Sequence, residues 1–146
     1  MTDPDSLPQQ ARWLGYAGLV PFFGLAFATH VPAFTAAGAA AFVTYSAIIV
    51  SFLGGIRWGV FAAAAAPSLV DPWIAIVVSL AAWSALLLPP ELQIPALAAV
   101  HLAVLGVDQL RPPAGQGEWL QELRLLLSLG AITGHGIAWF ATKALT

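Results

Sequence analysis

Cysteine is absent from the 146 residues, and charge is scarce: five basic and seven acidic side chains make up 8% of the chain. Without cysteine there is no disulfide framework, no thiolate nucleophile and no thiolate metal site. Ordinary soluble domains carry about 25% charged residues. Twelve charges cannot cover the surface of a soluble globule of this size. A soluble enzyme and a disordered chain are therefore excluded. So is a nucleic-acid partner, because the net charge is -2 and no basic cluster occurs. What is present is apolar: 60% of residues are hydrophobic, against roughly 45–50% in soluble domains. The composition is that of a multi-pass membrane protein.

A helix crossing the hydrocarbon core of about 30 Å needs about 20 mostly apolar residues. Prolines and charges divide the chain into a short polar tail over residues 1–10 and one membrane domain over 11–146. Within it, five spans are predicted: 11–31, 35–63, 73–88, 94–110 and 118–142. Asp71 and Pro72 suit the start of the third, as N-cap and first-turn residues. The apolar runs are continuous and lack the in-and-out alternation of a transmembrane barrel. The fold class is thus all-α, a bundle of five transmembrane helices. The tail carries Asp3 and Asp5 rather than a basic start, so the first span is read as retained rather than as a cleaved signal. Arg12, Arg57, Arg111 and Arg124 lie nearest one side and Lys143 the other. The positive-inside rule then places the amino terminus in the cytoplasm.

Pro21 lies inside the first span and removes one backbone donor there. Ser51, Gly55 and Gly59 recur every four residues on the second helix, next to Gly54, and Gly130 and Gly134 do so on the fifth. Such small residues let helix backbones approach closely.

An ionisable residue inside a membrane helix is a functional candidate by default. Arg57 and Arg124 are two such residues at nearly one level, with Asp71, Asp108, Glu118 and Glu122 entering from the same side. They can pair with acids and fix helix order, or form a cationic site for a small anion or lipid headgroup with Asp108 and Glu122 at its edge. Gly54 and Gly55 leave room beside Arg57. His101 and Asp108 share a face of the fourth helix, and Arg124, Ser128 and His135 share one of the fifth. These faces turn inward, and His101 with His135 form a candidate polar relay. Two histidines on neighbouring helices are also the pattern for axial haem ligation. Counted from the loop between their helices, however, they differ in depth by about 12 Å. That offset disfavours one shared iron, and no cofactor is predicted. No His-Glu-x-x-His, Gly-x-Ser-x-Gly or phosphate-binding glycine loop occurs, so an enzyme is not expected.

The stretch Ser51-Phe52-Leu53-Gly54-Gly55-Ile56-Arg57-Trp58-Gly59 resembles a motif in small bacterial and mitochondrial membrane proteins of unknown function similar to transmembrane protein 69. Leu14-Gly15-Tyr16-Ala17-Gly18-Leu19-Val20-Pro21-Phe22 and Trp119-Leu120-Gln121-Glu122-Leu123-Arg124 fit the same family in the same order. The resemblance implies a helical inner-membrane protein and carries no activity. The leading expectation is a non-catalytic accessory or assembly subunit of a larger respiratory or photosynthetic complex, contacting lipid and partner subunits. The alternatives are an anion or lipid carrier using Arg57 and Arg124, and a haem or quinone protein.

Overall fold

The computed structural model describes residues 6–65, 68–113 and 117–143. These residues form five helices and no strand: α1 Ser6–Ala28, α2 Thr35–Ala63, α3 Asp71–Leu86, α4 Pro90–Leu110 and α5 Glu118–Lys143. Four of them are long and apolar enough to cross a membrane; α3, with 16 residues, falls short of that length.

The helix ends follow local chemistry. Residues 6–10, expected in the tail, belong to α1. A proline in the first turn lacks only a donor that would have no partner anyway, so Pro8 does not delay the helix. At its far end, α1 stops at Ala28, where the Thr29 hydroxyl donates to the Ala26 carbonyl at 2.6 Å. The chain then turns, with Val31 N–H on the Ala28 carbonyl. Asp71 opens α3 with Pro72 in its first turn. Pro90 opens α4, four residues earlier than the sequence suggested, because proline's fixed φ suits that position. Gln93 of α4 reaches back and donates to the Leu86 and Leu88 carbonyls at 3.0 and 2.9 Å, closing the end of α3.

The helices form a ring in chain order, with α1 returning to α5. α2 also reaches across to α4 and α5, so it touches every other helix. The core is built from Phe22, Phe42 and Val50, from Ile94, Leu97 and Val104 of α4, and from alanines on the inner faces of the other four helices. Phe22 and Phe42 meet edge to face at 5.7 Å, a favoured aromatic geometry. Pro21 leaves α1 unbroken. In the same turn the Gly18 carbonyl accepts from the Tyr45 hydroxyl of α2 at 2.7 Å. The outside is apolar too: Trp13, Val20, Phe27, Phe52, Trp83, Leu102, Leu126 and Phe140 are all exposed. A surface of that kind is matched to lipid rather than water.

The glycines divide into two sets. A Cβ at Gly54 would stand 2.8 Å from the Ala75 carbonyl oxygen, so α2 and α3 meet backbone to backbone there. At Gly130 it would stand 2.8 Å from the Leu19 side chain, and at Gly134 it would touch Phe22 and Phe42 at ordinary distance. Gly55 and Gly59 have no neighbour within 4 Å and face outward, with Ser51 at the rim of an open groove between α2 and α3. The expected Ser51–Gly55–Gly59 packing stripe is therefore corrected. Consecutive residues on a helix point about 100° apart, and it is Gly54, sharing a face with Arg57, that turns inward.

Candidate functional site

At one end of the bundle four helices each deliver one charge. Arg57 lies six residues before the end of α2, and Asp71 is the first residue of α3. Asp108 lies two residues before the end of α4, and Arg124 six residues into α5. All four are buried, with the arginine side chains 3% and 5% exposed. Arg57 Nε and Nη2 reach Asp71 Oδ1 at 2.8 and 2.7 Å. Its Nη1 donates to Asp108 Oδ1 at 3.1 Å, and its Nη2 also donates to the Arg111 carbonyl at 2.7 Å. Arg124 grips the other oxygen of Asp108 through Nε at 3.0 Å and through Nη2. Asp108 thus bridges two arginines, and the chain of pairs joins α2, α3, α4 and α5. The formal charges cancel within the cluster.

Glu122, expected beside the arginines, lies elsewhere. It is exposed and meets Arg12 of α1 at 3.7 Å, with the two side chains 72% and 46% exposed. The reason is helical: residues two apart do not face the same way, so burying Arg124 turns Glu122 outward. Asp71 takes the place given to Glu122. Its signal in the sequence was its position as the first residue of α3.

A second polar layer lies deeper in the same bundle. The Ser46 hydroxyl of α2 sits between His101 Nε2 at 3.2 Å and His135 Nε2 at 2.9 Å. His135 Nδ1 lies 2.7 Å from the Ala131 carbonyl. A carbonyl only accepts, so His135 carries its proton on Nδ1 and Nε2 is the acceptor. The Ser46 hydroxyl must then donate to His135, and His101 Nε2–H must donate to Ser46. The three side chains form a hydrogen-bond chain with one direction. Phe22 packs against both imidazoles at 5.7 and 5.8 Å. His30, by contrast, is exposed at the end of α1, with Nε2 3.2 Å from the Ile137 carbonyl of α5.

The two imidazole centroids are 5.0 Å apart, so the depth offset of about 12 Å derived from helix rise is corrected. That count placed Cα atoms and ignored side-chain direction. Every side chain leans toward the N-terminus of its own helix. In the antiparallel pair α4 and α5, that lean carries His101 and His135 toward each other. Ser46 escaped the sequence reading because serine is common in apolar helices. Its signal was its spacing of eleven residues, three helical turns, from Arg57.

Replacing Ser46 with alanine leaves a donor on His101 and an acceptor on His135 without their shared partner. A buried polar group left unsatisfied costs about 1–3 kcal/mol. A lower melting temperature in detergent is the expected result. An unchanged melt would mean that the hydroxyl does not join the rings.

Transmembrane protein 69 of Xenopus tropicalis is 32% identical over 135 residues, 86% of this chain and 51% of that protein, so the chain spans about half the relative's length. No solved structure matches. Residues 7–140 match the family described as a protein of unknown function, DUF3429, and the chain belongs to that family.

Proposed function

We propose that the chain is a non-catalytic accessory or assembly subunit of a larger membrane complex, in an energy-transducing membrane such as the bacterial inner membrane. The observation that carries this reading is the pairing of the buried charges with one another. Arg57 and Arg124, the residues most expected to serve a ligand, are matched by Asp71 and Asp108 and tie four helices together. What the bundle offers to its surroundings is its outer surface. In this reading all five helices cross the membrane, with the amino terminus on the cytoplasmic side. Support for α3 as a crossing comes from its exposed face of Trp73, Ile76, Val77, Leu80 and Trp83, continued by Leu87 and Leu88. A respiratory or photosynthetic complex is the proposed host.

The carrier reading of Arg57 and Arg124 has less support. The cavity beside them is about 10 Å³, space for about one water molecule and far too little for a phosphate headgroup.

The test is purification of the tagged protein from its own membranes in mild detergent, with every companion identified by mass spectrometry. A recurring stoichiometric set of membrane subunits is the expected result. A solitary, monodisperse protein would overturn the reading.

A further inference from the structure

The charge cluster gives four helices a common level, because Arg57, Asp71, Asp108 and Arg124 meet there. From that level the helices reach unequally toward the opposite membrane face. By helix rise, α2 extends about 33 Å from Arg57 back to Thr35, and α5 about 28 Å from Arg124 to Lys143. Both match a hydrocarbon core of about 30 Å, and tilt absorbs the surplus of α2. By the same measure α3 extends about 22 Å from Asp71 to Leu86, and α4 about 25 Å from Asp108 back to Glu91. Tilt shortens these reaches further. Yet the turn joining the two helices is not built for hydrocarbon: Pro89, Pro90 and Glu91 are exposed there, and a carboxylate in the apolar layer is costly.

We infer that the lipid bilayer thins around the α3–α4 hairpin, from about 30 Å to the roughly 24 Å that the 16 residues of α3 span. This rests on the proposed crossing of the membrane by α3. A short apolar helix is accommodated by thinning, by snorkelling of flanking side chains or by association. Snorkelling relies on long basic side chains, and residues 84–93 contain no lysine or arginine. At the other end of α3, Asp71 is held in the cluster by Arg57 and cannot reach outward. Association would cover the exposed Trp73, Val77, Leu80 and Trp83 but would leave Glu91 below the headgroups. Thinning brings the headgroups to Glu91 and keeps the apolar face of α3 in hydrocarbon. The surface on this side of the bundle is thus fitted to a thinner lipid layer than the surface of α5.

The chain has no cysteine, so one introduced thiol carries a spin label at a single site. Trp83→Cys and Gly136→Cys are the paired positions. Each lies twelve residues along its helix from the charge cluster, counted from Asp71 and from Arg124. Both sites face outward: Trp83 is 58% exposed, and a Cβ at Gly136 meets nothing within 4 Å. In dioleoylphosphatidylcholine vesicles, the accessibility of each label to oxygen and to a nickel complex gives its depth. The label at 83 should lie about 6 Å nearer the headgroups than the label at 136. Equal depths, or a deeper label at 83, would overturn the inference. A second measurement uses Glu91→Cys and Arg111→Cys, both at exposed positions. A membrane-impermeant maleimide should reach the two thiols from opposite sides of sealed vesicles. Reaction from one and the same side would remove the crossing by α3, and the thinning with it. Reaction from opposite sides with equal label depths would overturn the thinning alone.

Discussion

Asp108→Asn should unfold most of the protein in mild detergent, or leave it melting far below the parent. Asp108 receives hydrogen bonds from both buried arginines. Asparagine keeps the shape but removes the charge that opposes them. Asp71 then faces two guanidiniums alone, and it reaches only Arg57. Breaking a buried ion pair from one side costs about 3–5 kcal/mol, against a total stability of about 5–15 kcal/mol for a domain. Glu122→Gln should change stability by less than about 0.5 kcal/mol, since its pair with Arg12 is long and exposed. Replacing Arg57, Asp71, Asp108 and Arg124 together by apolar residues of similar volume should restore most of what the single change loses, as for other buried ion clusters. Thermal melts of the three variants decide the matter. A loss below about 1 kcal/mol in Asp108→Asn would mean that the cluster does not clamp the helices.

Gly54→Val and Gly55→Ala should move stability in opposite directions although the two glycines are neighbours. A Cβ at Gly54 meets the Ala75 backbone oxygen at 2.8 Å and the Ser79 hydroxyl at 3.0 Å. The hydroxyl can rotate; the backbone cannot. Ser79 is itself tied to the same carbonyl at 3.0 Å, so α3 must shift away from α2 as a unit. Overpacking of this kind costs about 1–3 kcal/mol. The shift would also part Arg57 from Asp71, which adds to the loss. Gly55 has nothing within 4 Å. An alanine there gains helix propensity of about 0.8–1.0 kcal/mol and meets no obstacle. Paired melts, with circular dichroism to follow helix content, test this. Equal effects at the two positions would mean that α2 is rotated from the orientation described.

Much of this was legible in the sequence because membrane helices advertise themselves. Proline clusters and the few charges bounded the spans, and α2 occupies the residues expected of it, Thr35–Ala63. Arg57 and Arg124 stood out because charge in an apolar run is expensive. Their partners were harder to choose. Asp71 and Glu122 both sit in the first turn or so of a helix, and only the rotation of α5 about its axis separates an acid facing the core from one facing solvent. Gly54 and Gly55 posed the same difficulty: two adjacent glycines offer two faces, and the every-fourth-residue pattern with Gly59 pointed to the wrong one. The meeting of His101 and His135 depended on side-chain lean across an antiparallel pair, which residue counting along single helices does not contain. Ser46 had no chemistry until two imidazoles from distant parts of the chain were placed on either side of it.

The cancellation of charge among Arg57, Asp71, Asp108 and Arg124 has an electrical consequence. A single charge carried across a membrane potential of 100 mV exchanges about 2.3 kcal/mol with the field. Two positive and two negative groups moving together exchange almost nothing. A tilt or shift of the whole bundle therefore carries no gating current from this layer, and the transmembrane voltage has no net grip on it. The cluster binds the helices to one another while leaving them electrically silent.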